Sequence, residues 1–186
     1  MLSPAYPIET PRLSLRPFTM DDLDGLHSFH SRADVARYLY WDARTLDETR
    51  TALAKKTEMA ELRKGGEDLN LAVELRETGE LIGDLYLFWR SAEHRQGEIG
   101  FIFHPDHHGR GLAGEASREI LRLGFEDLGL HRIYGRCDGR NTASARLMER
   151  LGMRREAHLV ENELFKGEWS DELVYAMLRR EWPPQG

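Results

Sequence analysis

The chain has 186 residues, of which 40% are hydrophobic and 31% charged, and its formal net charge is −6. This predicts one globular domain over residues 1–186, and no apolar run approaches the ~20 residues that a membrane span needs. The acidic balance argues against a direct nucleic-acid partner, and the lone Cys137, with no secretory signal at the N-terminus, predicts a cytoplasmic protein with no membrane partner.

The first half of the chain predicts antiparallel strands with helices between the first two. A helix signal begins at Thr19, and a longer amphipathic helix is stopped by Gly65 and Gly66. The predicted strands share alternating apolar residues and lie at 12–18, 69–75, 81–89 and 96–103. The predicted helices of this half lie at 34–38 and 46–64.

The second half predicts helices alternating with strands before a final strand pair. Helices are predicted at 112–128 and 142–151, and strands at 132–137, 153–164 and 169–178. Antiparallel strands followed by a helical crossover indicate a mixed α/β protein. We expect a mostly antiparallel sheet of about seven strands flanked by helices.

A glycine-rich turn lies between the strand at 96–103 and the helix at 112–128. It contains Gly109, Gly111 and Gly114, with Arg110 between the first two. Such a turn presents several backbone N–H groups, with the positive end of the helix dipole, to one point in space. This arrangement predicts a pyrophosphate site, although glycines that serve only loop geometry are the alternative.

The glycine spacing at 109–114 also spells G-x-G-x-x-G, the dinucleotide fingerprint, and Asp138 lies near the expected position of a ribose-binding acid. In that fold the first glycine turns directly off the first strand of a βαβ unit. Here residues 105–108 intervene and the preceding strands look antiparallel, so the match is weak evidence for a nicotinamide enzyme.

The segment H-G-R-G-L-A at 108–113 also resembles the acetyl-CoA motif Q/R-x-x-G-x-G/A of the GNAT N-acetyltransferases. A second motif of that family matches N-T-A-S at 141–144 and L-M-E-R-L-G at 147–152. The segments T-P-R-L-S-L-R at 10–16 and G-E-W-S-D at 167–171 are similar to the ribosomal-protein (Rim) branch. The resemblance covers nearly the whole chain and implies the GNAT fold, acetyl-CoA as co-substrate, and acetyl transfer to a primary amine.

The resemblance also implies which residues bind the cofactor. Backbone groups of Phe101, Ile102 and Phe103 are expected to polarise the thioester carbonyl, on a strand that carries a bulge and splays from its neighbour; an ordinary buried strand is the alternative. The remaining expected contacts lie on the glycine-rich turn with the helix start that follows it, and at the start of the helix predicted at 142–151: His108, Gly109, Arg110, Gly111, Leu112, Ala113, Asn141 and Ser144. Asn141 is also a good helix N-cap by residue type.

Two departures from the family pattern affect the predicted chemistry. His108 replaces the usual Gln or Arg, and Met148 stands where many members have a tyrosine that protonates the departing thiolate. We therefore assign thiolate stabilisation to Ser144, one turn after Asn141, with an inert surface serine as the alternative. Glu98 is the candidate to accept the amine proton, directly or through water, with a solvated cross-strand charge partner as the alternative.

The acceptor site is less well defined by the sequence. The aromatic residues Tyr38, Tyr40 and Trp41 match the acceptor region of the family but also suit a core. Asp84 is a further, acidic candidate, although the sequence does not bring it together with them. Metal binding by the histidines at 104, 107 and 108 is not expected, because no zinc motif accompanies them.

The expected reaction is direct attack by an amine in a ternary complex. The acceptor is a peptide N-terminus or a small cationic molecule such as a polyamine or aminoglycoside. An N-terminal α-amine, with a pKa near ~7.7–8.0, is more easily neutral than a lysine. A CoA-binding module without catalysis is the alternative of another class, and a homodimer is left open.

Overall fold

The computed structural model describes residues 1–182. Its helices are α1 (Leu23–His30), α2 (Ala33–Ala36), α3 (Leu46–Lys56), α4 (Leu112–Arg122) and α5 (Thr142–Arg150). Its strands are β1 (Ile8–Glu9), β2 (Leu13–Arg16), β3 (Asp68–Leu75), β4 (Leu81–Ser91), β5 (Gln96–Phe103), β6 (Arg132–Asp138), β7 (Arg154–Phe165) and β8 (Glu168–Leu178).

The strands form one sheet in the order β1-β2-β3-β4-β5-β6-β8-β7. Every neighbouring pair is antiparallel except β5 and β6, which are parallel and joined through α4. The predicted mixed, mostly antiparallel α/β fold is therefore confirmed. The sheet has eight strands rather than about seven, because the two-residue β1 is too short to show an alternating pattern in the sequence.

The two faces of the sheet are covered by different helices. The larger apolar cluster includes Leu71, Leu85 and Ile99 and packs against α4 and α5. The smaller cluster, around Phe29 and Ala72, lies under α1 and α3. The α1–α3 face also carries buried polar residues at neighbouring register positions: Asn70, Asp84 and Glu98. Hence one face forms the main core and the other provides polar groups near the centre of the sheet.

Two predicted helix ends are wrong. The helix predicted to reach residue 64 ends at Lys56, because Leu62 pairs its backbone with Leu2 in both directions and the carbonyl of Met59 accepts from the Asn70 N–H. The helix predicted over 112–128 is α-helical only to Arg122 and continues as a π-helical segment over Leu123–Asp127. In residues 1–182, no helix combines the length and apolar character needed to cross a membrane.

Candidate active site

β5 and β6 separate in the middle of the sheet. Their register pairs run only from Gln96–Arg132 to Glu98–Tyr134, whereas β5 stays paired with β4 as far as Phe103. The N–H of His104 donates to the carbonyl of Ile82 at 2.8 Å. Because backbone groups alternate in direction along a strand, those of Phe101 and Phe103 face the gap and those of Ile102 face β4.

The gap arises from this separation and not from a bulge in β5. The register between β4 and β5 is regular from Glu98 to Phe103, and the irregularity between these strands lies at the Phe88–Ser91 end of β4. The expected bulge is therefore absent from this stretch. Ile102 likewise differs from the expectation, because its N–H belongs to the ladder with β4 and only its side chain is available to the site.

The glycine-rich turn has the backbone geometry that it was predicted to need. Gly109 and Gly111 have φ of 76° and 77°, a left-handed conformation that favours glycine, and Gly111 is the N-cap of α4. A Cβ on Gly109 would contact nothing within 4 Å. The glycines therefore set the path of the backbone and leave open space in front of the N-terminus of α4.

Side chains around this turn hold it in place. His108 Nε2 donates to the carbonyl of Phe103 at 3.1 Å, so the imidazole is turned toward the end of β5. Arg12 donates to the carbonyl of Arg110 at 2.9 Å and pairs with Glu115 at 2.6 Å. The side chain of Arg110 is exposed and contacts His107 Nδ1 at 3.2 Å.

A cavity of about 940 Å³ joins the gap to the turn and to the start of α5. Asn141 caps α5, since its Oδ1 accepts from the N–H of Ser144 at 3.1 Å. Met148 is buried behind them against Gly135. The cavity brings together the predicted cofactor residues other than Arg110: Phe101, Ile102, Phe103, His108, Gly109, Gly111, Leu112, Ala113, Asn141 and Ser144.

Three arginines on the cavity wall were missed by the sequence analysis. Arg118 lies on α4, and Arg146 and Arg150 lie one turn apart on α5. None forms an ion pair with any residue between 1 and 182, so their charges are available to an anion. The i, i+4 spacing on α5 was the available signal, but placing Arg118 beside it requires the tertiary structure.

A second cavity, of about 660 Å³, lies on the α3 side of the sheet. Its walls include His30, Trp41, Arg44 and Tyr86. Ile102 lines this cavity as well as the larger one. The two cavities therefore adjoin at Ile102, on the part of β5 that is not paired with β6, and a molecule in one can approach a molecule in the other.

Asp84 lies deep in the smaller cavity and is 3% exposed. Lys56 Nζ is 2.9 Å from its Oδ2, and His30 Nε2 is 3.4 Å away. Burial alone would raise the pKa of Asp84, but Lys56 and His30 outweigh burial and hold it below the usual value. Burial also lowers the pKa of His30 below 6.5, so this imidazole is neutral at physiological pH.

Glu98 lies at the closed end of the gap and is 5% exposed. Its Oε1 accepts from Arg136 Nε at 3.0 Å, and Arg136 also reaches Glu172 at 3.3 Å. Burial would lower the pKa of Arg136, but the two carboxylates raise it. Burial also raises the pKa of Glu172. The sequence analysis missed Arg136 and Glu172, since the pairing of β5 with β6 brings Arg136 to Glu98 and the pairing of β6 with β8 brings Glu172 to Arg136.

The predicted acceptor residues are divided among three places. Tyr38 lines the larger cavity, and Trp41 and Asp84 line the smaller one. Tyr40 lines neither; it is 73% exposed and donates to Glu163 at 2.6 Å. No cluster of three or more potential metal ligands occurs in residues 1–182.

The sequence of the chain also matches a known family. Residues 12–154 match the model of the acetyltransferase (GNAT) domain. The chain belongs to the GNAT acetyltransferase family. This N-acetyltransferase is 33% identical to the uncharacterized N-acetyltransferase YnaD of Bacillus subtilis, over 94% of this chain and 98% of YnaD. The predicted family is confirmed, and with it an enzyme that uses acetyl-CoA as co-substrate.

Solved structures of the family share the fold of this N-acetyltransferase. A GNAT-family acetyltransferase from Bacillus anthracis is 34% identical with a TM-score of 0.83, covering 93% of this chain and 98% of its own. Spermidine N-acetyltransferase from Vibrio cholerae, solved with CoA and spermine, is 25% identical with a TM-score of 0.76, covering 92% and 98%.

Proposed function

We propose that this enzyme transfers the acetyl group of acetyl-CoA to a primary amine by direct attack in a ternary complex. The observation that carries this proposal is the meeting of two cavities at Ile102, beside the unpaired edge of β5. Each cavity holds one substrate, so the amine and the thioester can be positioned for reaction. Such positioning supplies a large part of the lowering of the barrier in bimolecular reactions.

The larger cavity fits acetyl-CoA in shape and charge. The open N-terminus of α4 offers its N–H groups to the pyrophosphate, with contacts at His108, Gly109, Arg110, Gly111, Leu112 and Ala113. Arg118, Arg146 and Arg150 supply positive charge to the phosphates. The backbone groups of Phe101 and Phe103 face the pantetheine arm and the thioester carbonyl, and Asn141 lies at the far side of the gap.

In the reaction the amine nitrogen forms a bond to the acetyl carbon, the carbon–sulfur bond breaks, and the amine loses a proton. Glu98 accepts that proton, directly or through a water molecule, from its position at the base of the gap. Ser144 lies on the first turn of α5 and lines the larger cavity, from where it donates a hydrogen bond to the departing thiolate. Met148 is buried and has no proton to give.

We favour a primary amine of the N-terminal α-amine type as the acceptor. Its pKa near ~7.7–8.0 leaves a useful neutral fraction at pH 7, so a modest base is sufficient. A polyamine is the second candidate, supported by the spermidine N-acetyltransferase from Vibrio cholerae among the solved neighbours. The pairing of Asp84 with Lys56 weighs against it, because the buried carboxylate is already neutralised.

The test is to incubate the protein with acetyl-CoA and three sets of acceptors: peptides, polyamines and aminoglycosides. Free thiol release and the mass of the product are followed. We expect turnover with at least one set. CoA should stabilise the protein in a thermal shift, and NAD should not. Stabilisation by CoA without turnover on any amine would indicate a CoA-binding module instead.

We further propose that residues 1–186 act as one domain in the cytoplasm, which the single cysteine supports. Tyr38, Tyr40, Trp41 and Asp84 are proposed to contribute to the acceptor region. The positions of Trp41 and Asp84 on the smaller cavity support this role most directly. A measurement of the molar mass in solution tests whether two copies associate.

A further inference from the structure

Arg44 is a cation on the wall of the smaller cavity without an anionic partner. Its guanidinium is half-buried, with the Cζ atom 4.0 Å from the centroid of the Trp41 ring. It forms no ion pair with a carboxylate in residues 1–182. Burial lowers its pKa, and the negative charges of Asp84 and Glu48 offset only part of this effect.

The surroundings fix the direction of this guanidinium. Arg44 donates to Nδ1 of His30 at 3.0 Å, so Nδ1 is unprotonated and the ring proton is on Nε2, facing Asp84. His30 is 1% exposed, and its ring packs against Trp41 with the centroids 4.8 Å apart. His30 Nε2 lies 3.4 Å from Asp84 Oδ2, which is paired with Lys56. The contacts with His30 and Trp41 therefore position Arg44 without neutralising its charge.

The other charges around this cavity are mostly engaged. Lys56 pairs with Asp84, Asp47 pairs with Arg50, and Glu48 accepts from the N–H and hydroxyl of Thr45. Arg44 and Lys55 are then the cations on the cavity wall with no carboxylate partner in residues 1–182. Asp68 is a carboxylate on the same wall that accepts from no side chain in residues 1–182. The cavity therefore offers unpaired charges of both signs.

We propose that the acceptor is zwitterionic, an amino acid or short peptide whose carboxylate pairs with Arg44 while its amine reaches the thioester beside Ile102. This inference rests on the proposed function. A guanidinium binds a carboxylate through two parallel N–H···O bonds, which fixes orientation as well as affinity. A polyamine has no group for Arg44 and places a further cation next to it, so the same residue selects against polyamines.

The first test uses matched acceptors on the unmodified protein. L-lysine is compared with 1,5-diaminopentane, the same diamine without the carboxylate, and triglycine is compared with its C-terminal amide. We expect kcat/KM to be at least tenfold higher for the carboxylate-bearing member of each pair. Equal or faster turnover of the carboxylate-free members overturns the inference and leaves the proposed function standing.

The second test uses Arg44→Gln, with Arg155→Gln as the matched surface control, because Arg155 is exposed, lines neither cavity and pairs with no carboxylate in residues 1–182. Arg44→Gln should raise KM for the carboxylate acceptor at least tenfold more than it raises KM for the amide acceptor. Arg44→Lys should recover part of the loss, and Arg155→Gln should behave as the wild type. An equal loss on both acceptors contradicts the inference. If Arg44→Gln does not fold, the comparison of matched acceptors on the unmodified protein still tests the inference. Failure to acetylate any amine overturns the proposed function, and this inference with it.

Discussion

Glu98 and Tyr134 form the last register pair between the parallel strands β5 and β6. Beyond this pair the strands diverge toward their carboxyl ends, and the chain leaving β5 passes through the glycine-rich turn into α4. One backbone feature therefore places the unpaired edge of β5 beside the positive end of α4, with Glu98 at the position where the two strands separate. Ligand sites in open α/β sheets form at such carboxyl ends.

Gly111→Asp should abolish CoA binding. The change adds a side chain and a negative charge at the N-cap of α4, where the phosphate groups are proposed to bind. Gly66→Asp is the matched control, because Gly66 has φ of 90° in the turn before β3, lines neither cavity and bears the same backbone strain. Calorimetric titration with CoA is the measurement. Equal affinity in both variants would remove the turn from the cofactor site.

Glu98→Gln should lower kcat/KM by roughly 10²-fold, the low end of general-base contributions, with little change in affinity for CoA. Glu156→Gln is the control, since Glu156 also pairs with sheet arginines, Arg132 and Arg154, but lies away from the gap. Full activity in Glu98→Gln would show that the carboxylate is structural.

The strands with regular patterns were predictable from the sequence. Residues 96–103 alternate and are bounded by turn signals, and β5 has those bounds in the structure. The end of α3 was not predictable, because a pairing between Leu62 and Leu2, 60 residues apart, stops a helix whose local pattern continues. Local periodicity carries no information on such distant contacts.

For the candidate site, too, contiguous motifs were predictable and residues assembled by tertiary packing were not. Both cofactor motifs were visible because each is a contiguous segment, and the structure brings them to one cavity. Arg44 and His30 were missed, since one lies in a loop and the other on α1, and only packing places them together. Arg136 was missed because its role depends on which strands flank β6. Residues that act through tertiary neighbours have no signature in a single sequence.

The stability of the protein should decrease as the pH falls below about 6.5, partly because of His30. Burial lowers the pKa of His30 in the folded state, whereas a histidine in the unfolded chain titrates near ~6.5. Below that pH the unfolded state binds more protons, so the free energy of unfolding falls, by at most ~1.4 kcal/mol per pH unit for one group.

The measurement is urea unfolding at pH 7, 6 and 5. His30→Gln should lose less stability between pH 7 and 5 than the wild type. His94→Gln, a change at an exposed histidine, should keep the wild-type slope. The slopes are compared rather than the absolute values, since His30→Gln also alters packing. Identical slopes in all three proteins would mean that His30 is protonated equally in the folded and unfolded states.

Ser144→Ala should slow turnover by about tenfold, or ~1.4 kcal/mol, the size expected for one hydrogen bond to a charged group. Ser144 lies on the first turn of α5 and lines the larger cavity, and the positive end of the helix also favours a thiolate there. The effect should be smaller with an acyl donor whose thiol is more acidic, because that thiolate needs less stabilisation.

Thr142→Ala, an exposed change in the same turn, is the control and should retain the wild-type rate. Kinetics of both variants with both donors decide the assignment. An unchanged rate of Ser144→Ala with acetyl-CoA would leave water as the group that stabilises and protonates the thiolate.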